Sequence, residues 1–168
     1  FFIIGVDAEA LIVRPKDYQD NATPSENSLA AVGLLRLGAL TGDDEYVTRA
    51  QRWIDTLAPV LGEHPTAFAY LLEALERVAV SPLEVAIVGT PGAPDTEALH
   101  DELRGRLLPA SVRVTAAPGV GAHVTPLLAD RAAIDERATA YVCEHFACRE
   151  PVTDPTALRA QLDAALVR

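Results

Sequence analysis

Apolar residues recur with a helical period through the first half of the chain and with a strand-like period in the second half. Residues 24–41 predict a helix that is apolar nearly all round and therefore buried on more than one side, and Gly42 suits its C-terminal cap. Asp43 can cap a second predicted helix, and Pro65 begins a third. The links between these helices are short, which favours antiparallel neighbours.

Beyond Pro82 the pattern is that of a small α/β domain. Short segments that are apolar throughout or alternating predict strands at residues 83–88, 111–116 and 139–144. Residues 95–108 predict an amphipathic helix between the first two strands, which implies a parallel pair with a right-handed crossover. The fold class is therefore mixed α and β. We expect antiparallel helical hairpins over residues 1–81 and a small three-stranded, mostly parallel α/β domain over residues 82–168.

The loop "DNATPSENS", residues 20–28, is rich in hydrogen-bonding side chains and precedes the first helix. Thr23 as N-cap, Pro24 at the first helical position and Glu26 three residues after the cap would make a capping box. The remaining polar side chains of the loop have no such structural explanation: Asp20, Asn21, Ser25 and Asn27.

Composition and charge narrow the class of protein. Apolar residues make up 49% of the chain, so a folded core is expected, and the net charge of −10 disfavours a nucleic acid or an anionic membrane as partner. No apolar stretch approaches the length of a transmembrane helix, and the start lacks the features of a signal peptide. The chain contains no methionine and begins within an apolar run, which suggests a piece of a longer protein. A reducing cytoplasm is the expected location.

The segment "CEHFAC" holds Cys143, His145 and Cys148, which raises the alternatives of metal binding, redox chemistry and structural thiols. A structural zinc site needs four ligands, and the remaining histidines show no ligand spacing. The spacing of the cysteines also differs from Cys-x-x-Cys. We predict reduced thiols without metal or cofactor, close enough to form a disulfide on oxidation. No strong cation is expected beside them, so neither should be unusually reactive.

Other candidate sites have a simpler structural explanation. "GTPG" at residues 89–92 lies where phosphate-binding loops occur, but it lacks the P-loop lysine and reads as a plain strand-to-helix turn. His123 is a loop histidine for which the sequence indicates no partner. Acidic residues near the start surround Arg14 and Lys16, and paired carboxylates can act in glycoside chemistry, although a solvated acidic loop would look the same.

Two long stretches, "LIVRPKDYQDNATPSENSLAAVGLLRLGALTGD" and "ATAYVCEHFACREPVTDP", resemble the C-terminal region of a family of thioredoxin-domain-containing proteins. The family includes the bacterial YyaL-type proteins and a vertebrate spermatogenesis-associated relative. "PLEVAIVG" between the two stretches is also similar to the family, so the resemblance covers nearly the whole chain. The family usually has Pro-Ser-Gly-Asn-Ser in the loop, and Glu26 stands in place of that glycine.

The resemblance implies that the chain is the last part of a longer protein. A full member carries a thioredoxin-like domain and then an (α/α) toroid of helical hairpins similar to six-hairpin glycosidases and sugar epimerases, and these parts are the expected partners. Residues 1–81 would end the toroid, and residues 82–168 would form the appended domain. By this analogy the loop would line a carbohydrate pocket with these ligand-binding residues: Asp7, Arg14, Asp20, Asn21, Ser25 and Asn27.

The resemblance and the cysteines leave three hypotheses open. The chain supplies one wall of a carbohydrate-acting toroid; or it is the scaffold region of a thiol-redox or protein-handling factor, in which Cys143 and Cys148 form a redox pair; or it is a purely structural domain. None of them gives the chain an independent activity, and fold-level analogy does not fix function.

Overall fold

The computed structural model describes residues 1–9, 12–80, 82–121, 123, 125–145 and 147–166. Within these ranges the chain is mixed α/β, with five α-helices and one sheet of four strands. It divides into a helical unit, Phe1–Gly38 with Asp43–Val80, and an α/β unit, Ala39–Gly42 with Ser81–Arg168. None of the helices in the described ranges has the length and apolar character needed to cross a membrane.

The helical unit is built on three helices, α1 (Glu26–Thr41), α2 (Asp44–Glu63) and α3 (Ala69–Ala79). Asp43 caps α2, as predicted, by accepting the Glu45 backbone N–H at 2.9 Å. The predicted start of the third helix at Pro65 is a 3₁₀ turn, Pro65–Phe68, which leads into α3. The core of the unit is formed by these buried residues: Ala31, Val32, Leu35, Ala50, Ile54, Leu57, Phe68, Leu71 and Ala74.

The start of α1 differs from the prediction. Ser25, not Thr23, is the capping residue, because the Ser25 hydroxyl accepts the Ser28 backbone N–H at 3.2 Å and also donates to the Ser28 hydroxyl at 2.9 Å. The Ser25 carbonyl accepts the first helical bond, from the Leu29 N–H. The Thr23–Glu26 capping box is therefore wrong, and both of those residues are exposed.

We expect Ser25→Ala to lower the free energy of unfolding of the helical unit by about 1 kcal/mol, because it removes an N-cap acceptor. Thr23→Ala is the matched control and should have no measurable effect. Trp53 is the only tryptophan and lies in α2, so its fluorescence during urea unfolding reports on this unit alone. Equal losses for the two variants would contradict the assignment of Ser25 as the cap.

The sheet of the α/β unit has four strands, β1 (Leu83–Val88), β2 (Ser111–Ala116), β3 (Thr139–Glu144) and β4 (Ala147–Cys148), in the order β2-β1-β3-β4. The three predicted strand positions are confirmed. The predicted three-stranded, mostly parallel arrangement is wrong, since only β1 and β2 are parallel while β3 is antiparallel to both β1 and β4. The described residues between β2 and β3 contain no α-helix, and a parallel β3 would need a crossover connection of that kind.

Helices cover one face of this sheet. α4 (Pro94–Arg104) follows β1 and α5 (Pro155–Leu166) ends the unit. On that face Val85 and Ile87 of β1 are buried among apolar residues of both helices. On the opposite face Ala86 and Val88 contact Leu128, which belongs to a short 3₁₀ turn, Pro126–Leu128.

The turn "GTPG" after β1 brings the backbone close to the start of β3. A Cβ atom on Gly89 would lie 2.8 Å from the Cβ of Ala138 and 2.5 Å from the Thr96 hydroxyl, so a side chain does not fit there without a shift. Asp95, in the first turn of α4, holds the same junction by accepting the backbone N–H of Ala138 at 2.7 Å and of Thr96 at 2.9 Å.

The backbone N–H of Ala138, followed by that of Thr96, lowers the pKa of Asp95. A carboxylate whose folded-state pKa is lowered stabilises the fold above its unfolded pKa and loses that contribution as the pH falls through the folded value. We therefore expect the stability of the α/β unit to decline below about pH 4. Asp95→Asn should flatten this decline, whereas the exposed control Glu150→Gln should not, when the β3 amide NMR signals are followed in urea at several pH values. Identical pH profiles for Asp95→Asn and the parent would contradict the expectation.

Candidate functional site

The loop of residues 20–28 is held by the Asp20 carboxylate. One oxygen accepts the Ser25 backbone N–H at 2.8 Å, and the other accepts the N–H of Tyr70 at 2.8 Å and of Leu71 at 3.3 Å. Asp20 therefore joins the start of α1 to the first residues of α3, and the position at a helix N-terminus suits its negative charge. Both carboxylate oxygens are used inside the protein.

The other candidate ligand residues of the helical unit lie in different surroundings. Asn27 is fully buried, and its amide donates to the carbonyls of Asp17 at 2.6 Å and Phe1 at 3.0 Å. Ser25 is buried as the cap of α1. Asn21 and Asp7 are exposed. Arg14 donates to the Ile4 carbonyl at 2.5 Å and lies over the Phe2 ring.

The structure therefore brings Asp20 and Ser25 together and connects Asn27 to the segment before the loop. Asn21 is exposed, and its side chain has no hydrogen-bond partner among the described residues. The proposed ligand role of these residues stays a prediction.

Cys143 and Cys148 form a disulfide, with their Cα atoms 3.9 Å apart. They are directly opposite each other across the β3–β4 ladder, and the connecting turn places His145 at a φ of 50°. The predicted proximity of the two cysteines is confirmed, whereas the prediction that they are reduced is wrong, since they are bonded. Cys143 is buried, at 1% exposure, whereas Cys148 is exposed, so the two sulfur-bearing residues differ in access from outside.

Arg131 lies beside the disulfide. Its Nη2 donates to the Cys148 sulfur at 2.9 Å and to the Cys143 sulfur at 3.3 Å. Burial lowers the pKa of Arg131, and the Glu84 carboxylate and Tyr141 oppose that shift. An arginine retains its charge in proteins, so a cation touches both sulfurs. The expectation that no strong cation lies near the cysteines is wrong.

Tyr141 fixes the segment that carries Arg131. The Tyr141 hydroxyl donates to the Ala132 carbonyl at 2.8 Å and accepts the Ala132 N–H at 3.1 Å. The Arg131 guanidinium lies 5.6 Å from the centre of the Tyr141 ring, within the range of a cation–π contact. Tyr141 thus orients the backbone and contacts the side chain of the same short segment.

Glu84 of β1 is the buried acid of this site, at 2% exposure. It is paired with Cys143 across the β1–β3 ladder, and residues paired in this way point to the same side of the sheet. The Glu84 carboxylate therefore lies on the same side of the sheet as Cys143, and it interacts electrostatically with Arg131. We call the cluster of Glu84, Arg131, Tyr141, Cys143 and Cys148 the disulfide site.

The arrangement can support thiol–disulfide exchange. Exchange requires a cysteine open to attack and a leaving thiolate of low pKa. Cys148 is the exposed cysteine of the pair. A cation in contact with a sulfur lowers the pKa of the thiol that forms there. In the described part of the chain no group of three histidine, cysteine or acidic side chains is arranged to hold a metal ion.

Comparison with curated proteins finds relatives in three mammals. The chain is similar to spermatogenesis-associated protein 20. Its identity to the rat protein is 32% over 155 residues, which is 90% of this chain and 20% of the rat protein. The human protein has the same identity and coverage, and the mouse protein is 31% identical over 155 residues. The chain therefore spans about a fifth of the length of the curated relatives it matches. No family model matches the chain. No solved structure matches it.

This similarity to spermatogenesis-associated protein 20 supports the family resemblance seen in the sequence, over most of the chain. Sequence reasoning nevertheless missed Glu84 and Arg131 as parts of the disulfide site. Glu84 gave a local signal, because it is a charged residue within the apolar strand "LEVAIV". Arg131 gave none, since it lies in an irregular segment 12 residues before Cys143.

Proposed function

We propose that the α/β unit carries a reversible disulfide and serves as a thiol-redox site of a larger thioredoxin-domain-containing protein. The observation that carries this proposal is the contact of Arg131 Nη2 with both sulfurs, at 2.9 and 3.3 Å, beside an exposed Cys148. A disulfide in a reducing compartment is usually transient, with a catalytic or sensing role. The cytoplasmic location expected from the sequence therefore agrees with a reversible bond.

In this proposal Cys148 is the attacked sulfur and Cys143 is the leaving thiolate. An external thiolate attacks the Cys148 sulfur and forms a mixed disulfide with it, while the protein disulfide breaks and its electron pair stays on the Cys143 sulfur as a thiolate. Arg131 stabilises that thiolate. A second external thiol then attacks the mixed disulfide, which releases an external disulfide and the Cys148 thiolate. Two external thiols are oxidised, and the protein disulfide is reduced by two electrons.

The identity of the attacked sulfur tests this proposal. The oxidised protein is mixed with a low-molecular-weight thiol, quenched with acid and alkylated, and the two cysteines are separated by peptide mass spectrometry. The proposal predicts the mixed disulfide on Cys148 and the alkyl group on Cys143. A mixed disulfide found mainly on Cys143, or no exchange while the protein is folded, would contradict it.

A second candidate function concerns the helical unit, which we propose to be the end of an (α/α) toroid in the longer protein. The observation that favours it is the exposure of Leu29, 48%, and Leu37, 43%, on α1, a helix whose other side is buried in the core. A helix that is apolar nearly all round is buried on several sides. Further hairpins of the toroid would cover the exposed side.

In this second proposal the loop of residues 20–28 forms part of a carbohydrate pocket. Asp20 holds the loop backbone at Ser25, and the Asn27 side chain ties the loop to the Asp17 carbonyl, so the loop has the fixed backbone that a preorganised pocket wall requires. Asn21 is then the side chain available to a sugar hydroxyl. Binding of the longer protein to a glycan array, and its loss in Asn21→Ala, tests this role.

Substitution of both exposed leucines tests whether this side of α1 is covered in the longer protein, as the toroid proposal requires, or remains exposed there. We expect Leu29→Gln with Leu37→Gln to change the unfolding free energy of this chain by less than about 0.5 kcal/mol. In the longer protein the same pair should cost about 2 kcal/mol or more, since both sites would be buried. Leu107→Gln is the control, because Leu107 is 85% exposed in the α/β unit and should be neutral in both proteins. Equal small effects in both proteins would contradict the proposal.

A further inference from the structure

A cleft opens beyond the ends of β1 and β2, on the side of the α/β unit that carries Arg131. Its volume is about 410 Å³, and it is lined by Val88, Ala117, Gly119, Val120, Leu128, Asp130, Arg131 and Ala132. Val88 is the last residue of β1, and Ala117 follows β2 directly. The carboxyl ends of neighbouring parallel strands are where open α/β sheets bind ligands.

The side chains that line the cleft are apolar except for those of two adjacent residues of opposite charge, Asp130 and Arg131. Arg131 Nη2 is engaged by the sulfurs, but its Nη1 is buried and has no hydrogen-bond partner among the described atoms. An unsatisfied buried donor is costly, so an acceptor brought into the cleft would be favoured once the guanidinium turns toward it. Asp130 is exposed, and no described residue donates to its side chain.

We propose that this cleft binds a small zwitterion, an apolar α-amino acid or a dipeptide of such residues. The carboxylate of the ligand pairs with Arg131, its ammonium pairs with Asp130, and its side chain lies against Val88, Val120 and Leu128. The proposal concerns binding alone and does not rest on the redox function, although Arg131 belongs to both sites.

Other ligand classes fit the wall less well. A nucleotide or a phosphorylated compound would bring several negative charges to a cleft with one cation, on a protein of net charge −10. A sugar would need several hydrogen-bonding side chains, and most of the wall is apolar. A simple carboxylic acid would meet repulsion from Asp130. The cleft volume lies in the range of pockets that hold small organic ligands.

Matched probes test both charges of the ligand. We expect L-phenylalanine, or the dipeptide of L-phenylalanine, to shift the Val120 and Ala132 amide NMR signals of the oxidised protein in a saturable manner. N-Acetyl-L-phenylalanine lacks the ammonium and L-phenylalaninamide lacks the carboxylate, so each should bind at least about tenfold more weakly. The measurement is made with the disulfide intact, so its outcome does not depend on whether the disulfide exchanges.

Protein variants complete the test. Asp130→Asn and Arg131→Gln should each weaken binding of L-phenylalanine at least about tenfold. Asparagine suits position 130 because Asp130 has a φ of 56°, a conformation that asparagine adopts readily. Ala117→Leu, which fills the cleft without changing charge, should abolish binding. Absence of saturable binding by both the amino acid and the dipeptide would overturn the proposal, and so would equal binding of N-acetyl-L-phenylalanine, which would indicate a site for anions only.

Discussion

Asp20→Asn should lower the free energy of unfolding of the helical unit by about 3 kcal/mol. The Asp20 carboxylate accepts three backbone N–H groups, from Ser25, Tyr70 and Leu71. Asparagine has one acceptor oxygen and places an N–H₂ group against a backbone donor. At least one buried N–H then loses its partner, and bonds to an ionised acceptor are replaced by weaker neutral ones.

Urea unfolding followed by Trp53 fluorescence measures this effect in the helical unit alone. Glu76→Gln is the matched control, since it removes the same charge from an exposed position on α3 and should change the unfolding free energy by less than about 0.5 kcal/mol. A loss for Asp20→Asn no larger than that of Glu76→Gln would show that Asp20 does not hold α1 to α3.

Arg131→Gln should slow reduction of the disulfide by a small-molecule dithiol about tenfold. A neighbouring cation lowers the pKa of a thiol by one unit or more, and the leaving thiolate departs faster when its pKa is low. Arg131 contacts both sulfurs, so its removal raises the pKa of whichever thiol forms. The rate constant is measured by quenched alkylation under conditions where the protein remains folded.

The controls for this prediction distinguish the effect of the Arg131–sulfur contact on the reduction rate from the effect of positive charge near the disulfide. Arg149→Gln removes the same charge one residue from Cys148, but its guanidinium donates to Glu144 and to the Gln161 carbonyl. It should leave the rate within about twofold, because the Arg149 charge is paired with Glu144. Arg131→Lys should restore part of the rate, and Tyr141→Phe should slow reduction less than Arg131→Gln, because it loosens the segment but keeps the charge. Equal rates for Arg131→Gln and the parent would contradict a role for Arg131.

The strand positions were predictable because the periodicity that identifies a strand lies within its own residues. The apolar run of β1 and the alternation of β2 place both strands correctly, and "TAYVCE" does the same for β3. The direction of β3 was not predictable in this way, since it depends on the path of an irregular connection rather than on local periodicity. β4 has two residues, too few to show any alternation.

The helix start and the disulfide site show the same limit. Thr23 and Ser25 can each accept a backbone N–H, and the sequence alone favoured Thr23 because Glu26 completed a capping box. In the structure Asp20 binds the Ser25 N–H and thereby sets where α1 begins. The environment of the cysteines likewise depends on Arg131, which reaches them through the fold and not through the local sequence.

The midpoint potential of the Cys143–Cys148 disulfide is the most direct test of the central claim, that this bond is reversible and functional. The folded protein is equilibrated in thiol–disulfide buffers of known potential, and the fraction of reduced protein is read by alkylation and mass spectrometry. The exposed Cys148 and the contact of Arg131 with both sulfurs predict a midpoint above about −270 mV, in the range of redox-active protein disulfides. A midpoint below about −300 mV, typical of structural disulfides, would contradict the claim.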